Sequence, residues 1–225
     1  MDRSSSVYAG FNDQFQAMLQ RSCSGTAQLK FPKDSNVYNC GDTDPHIYFI
    51  ESGQVKTMVY SKEGKKCLLA IYVTGDILGE LSLFHTRRME TATAMKPTVL
   101  RRLPVRKFRA ALSDADLLDA LLATLTLRLA EQQQVIANMV TMDSERRLAA
   151  VLLNLAYKIG KQHSCGIRID ERITQEELSG MVGTTRSRVG YFLKRFIDAG
   201  LVHRTPGSFL VIDEKHLCNY LDSFL

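Results

Sequence analysis

No Cys-x-x-Cys pair, no His-x-x-x-His spacing and no apolar run near the 18 or more residues of a membrane span occur in the 225 residues. The five cysteines, Cys23, Cys40, Cys67, Cys165 and Cys218, are odd in number and scattered. They outline neither a disulfide framework nor a zinc site, and read as reduced thiols. The five histidines, His46 and His85 among them, read as ordinary surface or loop residues, so no metal is expected. The opening stretch MDRSSSVYAGFNDQF lacks the apolar core of a signal peptide. Internal repeats and low-complexity tracts are also missing. These absences lead to the expectation of a cytoplasmic chain without a membrane partner.

What is present is ordinary globular composition with a basic bias: 45% hydrophobic, 24% charged and a net charge of +5. Such a balance permits nucleic acid or an anionic ligand as partner and proves neither. From about residue 26 to 105 the chain is strand-like. The runs HIYFIESGQVKTMVY and KKCLLAIYVTGDILG are punctuated by Gly41, Gly53, Gly64, Gly75 and Gly79. Short strands with glycines roughly every 11 residues suggest a sandwich or barrel. SKEGKK is a hairpin tip in which Gly64 takes a positive φ.

Near residue 114 the period changes. DADLLDALLATLTLRLAEQQQVIANMVTM has neither Gly nor Pro and reads as one long helix. Leu118, Leu122, Leu125, Leu129, Ile136 and Met139 recur at three-and-four spacing, the seam of a coiled coil, and Gln132 falls on that seam. The competing reading is a core helix packed on the sandwich. Leu117, Leu121 and Leu127 supply apolar surface for a second partner, which favours a homodimer joined through residues 115–140. Asp143 interrupts the pattern and caps the next helix, SERRLAAVLLNLAYKI. GKQHSCG then reads as a loop.

Residues 174–197, TQEELSGMVGTTRSRVGYFLKRFI, join two apolar stripes across one glycine. Thr174 and Glu177 form a capping box, Leu178 and Val182 face inward, and Gly183 ends the first helix. Thr184 or Thr185 caps the second. Its apolar positions are Val189, Phe192, Leu193, Phe196 and Ile197, and its other face carries Arg186, Ser187, Arg188, Tyr191, Lys194 and Arg195. Arginines in a first turn oppose the helix dipole by roughly 0.3–1 kcal/mol each, so an anion is expected there. The pattern is that of a helix-turn-helix whose recognition helix begins polar and basic. GLVHRTPGSFLVID adds two strands joined at Pro206 and Gly207, a wing on which Arg204 can touch the DNA backbone. A solvated basic face on a structural helix remains the plainer reading of the same residues.

The order of sandwich, long helix and winged helix-turn-helix resembles the CRP/FNR family of bacterial transcription regulators from about residue 26 to 212. The resemblance rests on GDILGELSLF (75–84) and ITQEELSGMVGTTRSRVGYFLKR (173–195), with LLNLA (152–156) and the Asp143 hinge in support. It implies an α+β fold: a helical lead and cupin-like jelly-roll sensor over residues 1–113, a dimerisation helix over 114–142, and a winged helix-turn-helix over 143–225. It further implies a homodimer on inverted-repeat double-stranded DNA and control of RNA polymerase at promoters.

In the family's cyclic-AMP sensors, GEL is followed by Arg-Ser/Thr-Ala, which holds the cyclic phosphate. Gly79, Glu80 and Leu81 match, with Glu80 at the ribose-binding place, and Thr91 and Ala92 match. The arginine position is Glu90. A carboxylate about 4 Å from a phosphate would cost on the order of 4 kcal/mol at an effective dielectric near 20. Arg87 and Arg88 are the nearby cations that could substitute in part. Gln132 and Gln133 align with the polar pair that reaches the base across the dimer, and Gln132 fits a register-setting role in the seam equally well. The resemblance therefore implies a nucleotide-like effector while Glu90 speaks against cAMP in the usual pose. Cys23 alone cannot supply the cysteine cluster of an iron–sulfur sensor. In the recognition helix, Arg186, Val189 and Gly190 match the family's RETVGR, whereas Ser187 replaces a glutamate and Tyr191 an arginine, so an altered half-site is expected.

Three functions compete on this reading: an effector-controlled DNA-binding regulator, an effector-independent regulator of the same fold, and a cupin-type metalloenzyme. The last would need a His/Glu set that His46, His85 and Glu80 do not space out. The sequence reads as a regulator and no catalytic residue is assigned.

Overall fold

Strand β3 (His46–Ser52) shows how the first part of the chain is built. In the computed structural model, which describes residues 26–64, 66–169, 171, 173–205 and 209–223, its alternate side chains feed two separate cores. Ile47 and Phe49 pack with Leu103, Phe108, Leu117 and Leu121, while Tyr48 and Ile50 pack with Tyr38, Val55, Leu78 and Leu100. Successive side chains on a strand point to opposite faces, so a strand buried on both faces loses the usual apolar–polar alternation.

The other strands of this part are β1 (Gln28–Phe31), β2 (Asn36–Tyr38), β4 (Gln54–Tyr60), β5 (Lys66–Val73), β6 (Ile77–Leu78), β7 (Thr91–Ala94) and β8 (Thr98–Pro104). Two four-stranded sheets, ordered β1-β8-β3-β6 and β2-β7-β4-β5, form the sandwich. A turn closed by Gly64 N–H donating to Ser61 O follows β4, with Gly64 at φ 77° as its sequence suggests. Short helix α1 (Val105–Ala111) buries Phe108 and leads to α2 (Ala115–Thr141). At 1.5 Å per residue its 27 residues span about 40 Å.

Helix α2 has two apolar faces. Leu117, Ala120 and Leu121 are buried in the sandwich core, with Leu125 packed partly against it. Leu118, Leu122, Leu129, Ile136 and Val140 remain 38%, 52%, 59%, 65% and 82% exposed. The core-helix reading holds for the first of these faces, and most residues read as the seam lie on the second, exposed one.

The described residues divide into two compact units, 26–59 with 69–133, and 60–68 with 134–223. In the second unit, Asp143 caps α3 (Ser144–Ile159) by accepting from the Glu145 and Arg146 amides. Helices α4 (Gln175–Val182), α5 (Arg186–Asp198) and α6 (Glu214–Asp222) follow. Strands β9 (Gly160–His163), β10 (Gly166–Ile169), β11 (Val202–Arg204) and β12 (Leu210–Ile212) form a small sheet ordered β11-β12-β10-β9. Leu148, Leu152, Leu178, Val182, Val189, Phe196, Val211 and Leu217 are among the buried side chains of this unit.

GKQHSCG, expected as a loop, contributes β9, paired antiparallel to β10. Its polar sequence suits an edge strand, where pairing with β10 rather than side-chain burial fixes the backbone. Helix α6, capped by Asp213, is an element the sequence reading left out. The wing is present as β11 against β12. Its expected joint at Pro206 and Gly207, the helical lead and Cys23 lie outside the described residues.

Candidate nucleic-acid interface and effector pocket

The helix-turn-helix is set by its caps. Thr174 Oγ1 accepts from the Glu177 amide at 3.1 Å, and Glu177 Oε2 accepts from the Thr174 amide at 2.8 Å. Gly183 closes α4 in the left-handed conformation, φ 68°, which lets the chain reverse within two residues. Of the two threonines, Thr185 is the cap of α5, its hydroxyl accepting from the Arg188 amide, while the Thr184 amide donates back to Ser179 O. Val189, Phe192, Leu193 and Phe196 are buried. This leaves Arg186, Ser187, Arg188, Tyr191, Lys194 and Arg195 exposed, and Arg204 exposed on β11.

The first turn of α5 holds no acidic residue to offset its arginines. Its free amides and guanidinium groups together attract an anion. Arg195 differs from its neighbours: Nη1 pairs with Glu145 Oε2 on α3 at 2.7 Å, so part of its charge is held within the fold. A cleft of about 490 Å³ opens beside the two helices, lined by Gln175, Arg186 and Arg204 together with Leu178, Leu193 and Leu210. Gln175 was not singled out from the sequence, because an amide at a helix start carries no motif of its own.

The second candidate site lies in the sandwich. After Gly79 (φ 82°), a 3-10 turn over Glu80–Leu83 begins with Glu80. Glu80 pairs with Arg128 of α2, Oε1 to Nη1 at 3.2 Å; Arg128 also donates to Ile77 O and lies 4.8 Å from the Tyr72 ring centre. Arg128 escaped the sequence reading because it follows the long helix's leucine stripe like any solvated cation. Glu90 is 7% exposed and accepts from the Tyr38 hydroxyl at 2.9 Å. Burial raises its pKa above the ordinary carboxylate value and nearby Glu80 adds to this, with Tyr38 and Arg88 opposing. Thr91 is buried and its Oγ1 accepts from the Cys40 amide. Leu81, Gln132 and Gln133 are exposed.

Neither arginine offered as a substitute phosphate ligand is aimed at this acidic pair. Arg88 is 3% exposed; it donates to Gly79 O, Asp44 Oδ2 and His46 O, and its guanidinium sits 4.0 Å from the Tyr38 ring centre. A side chain at Gly79 would be strained by its φ of 82° and would push that guanidinium aside. Burial pushes the Asp44 carboxyl up, but bonds from Arg88, His46 and Tyr48 hold it below its usual range. Arg87 is exposed and donates to Gly41 O. Beside the place where the resemblance puts the ligand stand Glu80, paired with Arg128, and Glu90, on which the Arg88 charge also acts. Among the described residues no group of three or more His, Cys, Asp or Glu could hold a metal ion, and no helix is long and apolar enough to cross a membrane.

Comparison with known proteins agrees with this division. Residues 28–115 match the cyclic nucleotide-binding domain and residues 146–220 the Crp-like helix-turn-helix domain. The cAMP-activated global transcriptional regulator CRP of Pasteurella multocida is 31% identical over 77% of this chain and 84% of its own length. The CRP-like cAMP-activated global transcriptional regulator of Mycobacterium tuberculosis is 30% identical over 85% of this chain and 88% of its own. A CRP/FNR-family transcriptional regulator from Thermus thermophilus superimposes with a TM-score of 0.73 at 24% identity, covering 87% of this chain and 98% of that one. The c-di-GMP-responsive global regulator CLP of Xanthomonas campestris gives 0.74 at 20% identity, covering 87% and 98%. Both structures speak to the fold alone.

Proposed function

We propose a mode of action for this chain, which belongs to the CRP/FNR family of DNA-binding transcription regulators and carries that family's effector-binding domain. It works as a homodimer joined along the exposed stripe of α2 and reads an inverted repeat with two copies of α5. Its sandwich answers to an effector other than cAMP in the usual pose. At promoters it acts together with RNA polymerase.

The exposed leucines and Ile136 on α2 support the dimer, since apolar side chains recurring along a helix gain most when a second copy covers them. A dimer also brings two recognition helices to half-sites about one helical turn apart. Arg186 is assigned to the O6 and N7 edge of guanine, and Arg188, Lys194 and Arg204 to phosphates. Ser187 and Tyr191 set the altered half-site, beside Thr184 and Thr185 at the helix start.

The observation that carries the effector reading is Glu90, buried against Tyr38 where a phosphate-binding arginine would stand. The Pasteurella and Mycobacterium relatives above are cAMP-activated by name; this pocket offers the phosphate a second carboxylate. Titration calorimetry of the full-length dimer with cAMP, cGMP and c-di-GMP, alongside DNA binding with and without each, tests it. cAMP should not bind measurably and should leave DNA affinity unchanged, and Glu90→Arg should bring cAMP binding into range. Micromolar cAMP binding by the wild type with a matching gain in DNA affinity overturns the reading. The pairing of Glu80 with Arg128 within one chain favours a second reading, an effector-independent regulator. Tight DNA binding unmoved by every nucleotide would select it.

A further inference from the structure

Residues four apart on a helix stand in one row, and on α5 such a row runs Arg186, Gly190, Lys194. Its outer members are exposed cations; its middle member has no side chain. The space above Gly190 is taken by another helix. Gln175, the first residue of α4, places Oε1 3.2 Å and Nε2 3.6 Å from where a Gly190 Cβ would stand. Gln175 is half-buried and lines the same cleft as Arg186. The capping box of Thr174 and Glu177 fixes its backbone.

We propose that Gln175 completes the base-reading row: α4 lends α5 the side chain that Gly190 lacks. This rests on the reading above that the Arg186 face meets DNA. A carboxamide presents a donor and an acceptor in one plane, the pair that fits the N7 and N6 edge of adenine. A phosphate accepts only, and would leave the carbonyl half of the amide unused. Glu176, exposed beside it, also disfavours a phosphate track over this helix start. Gln175 thus reads a base pair neighbouring the one assigned to Arg186.

Gly190→Ala gives an independent handle, because its Cβ forces the amide to shift by a few tenths of an ångström. Alanine at the interior of α5 favours the helix, so the variant keeps its fold. Site selection from random DNA, followed by sequencing, is run on full-length wild type, Gln175→Ala, Gly190→Ala and Arg186→Ala. Gln175→Ala should lose about fivefold or more on the preferred site and flatten preference at one base pair per half-site. Gly190→Ala should disturb the same base pair, at an unchanged melting temperature, and Arg186→Ala a neighbouring one. An equal loss on all sequences with preference intact, or no loss, overturns the role of Gln175. If Arg186→Ala also leaves every position unchanged, the reading of the α5 face itself falls.

Discussion

Tyr38 donates its hydroxyl proton to Glu90 over 2.9 Å, and both side chains are almost fully buried. The bond satisfies an acceptor that would otherwise be costly at that depth. It does not remove the charge. Glu80 stands near enough to raise the pKa of Glu90 further, and the Arg88 guanidinium over Tyr38 compensates in part. The sandwich therefore keeps a carboxyl group whose neutral form its surroundings favour.

This makes stability depend on pH in a fixed direction. Glu90 titrates above its ordinary 4.5 in the folded protein, so the native state holds more protons than the unfolded one from about that pH upward. Its contribution is therefore most favourable below this window and declines as pH rises through the raised folded value. Asp44 acts oppositely, its stabilisation being present above its ordinary 3.8 and lost as pH falls through its lowered folded value. Glu90→Gln keeps an acceptor for Tyr38 and has no charge to bury. Its melting temperature should exceed that of the wild type at pH 7, and the difference should shrink toward the ordinary value of 4.5. Calorimetric scans across this range check both; a difference of constant size would assign the effect to packing.

Arg88 is 3% exposed, and its removal leaves several acceptors short of a donor. Arg88→Ala takes one bond from the half-buried Asp44, which keeps those from His46 and Tyr48, and frees the carbonyls of Gly79 and His46. Leaving a buried acceptor unsatisfied costs about 1–3 kcal/mol. Arg88→Lys keeps the charge but cannot match a planar group that reaches three acceptors, and should recover only part of the loss. Urea unfolding followed by circular dichroism measures both variants. A surface-like change of under about 0.5 kcal/mol for Arg88→Ala would contradict its buried role.

How much of this was legible follows the range of the interactions. The cap at Asp143, the box of Thr174 with Glu177, the turn at Gly183 and the buried stripe of α5 all involve neighbours within a turn or two, and the sequence displays them. The matching of β3 to two cores is hidden, since an apolar run does not say what lies on either side. Arg88 read as a cation available to a phosphate because its partners, Asp44 and the Tyr38 ring, come from segments far along the chain. Arg128 with Glu80 was missed for a like reason, and Gln175 because an amide at a helix start carries no motif of its own. Helix α6 and strand β9 are short and polar, and take their shape from tertiary context.

The exposed stripe of α2 gives a prediction about assembly. Leu129 and Ile136 are 59% and 65% exposed, and neither belongs to the buried sandwich cluster. Leu129→Asp or Ile136→Asp would leave the isolated fold intact but place a charge in the dimer seam, at a cost of several kcal/mol. Light scattering should show a monomer with an unchanged circular dichroism spectrum, and DNA affinity should fall with the loss of the second reader. Leu125 is a poorer probe, since it also packs on the sandwich. Persistence of a tight dimer in both variants would place the interface elsewhere.

Lys194 and Arg195 are adjacent cations on the exposed face of α5, and their surroundings differ. Lys194 is exposed and assigned to a phosphate, whereas Arg195 is paired with Glu145 on α3 at 2.7 Å. A phosphate contact releases a counterion, so Lys194→Ala should weaken binding to all sequences alike and lower the salt slope by about one. Arg195→Ala should leave that slope nearly unchanged, because the charge it removes is largely spent on Glu145. Its cost should appear instead in folding, at no more than about 1 kcal/mol for a pair this exposed. Fluorescence anisotropy over a salt series reads the first effect and thermal unfolding the second. Equal reductions of the salt slope by both variants would mean that DNA draws Arg195 away from Glu145, and that the cation face of α5 is wider than the free protein displays.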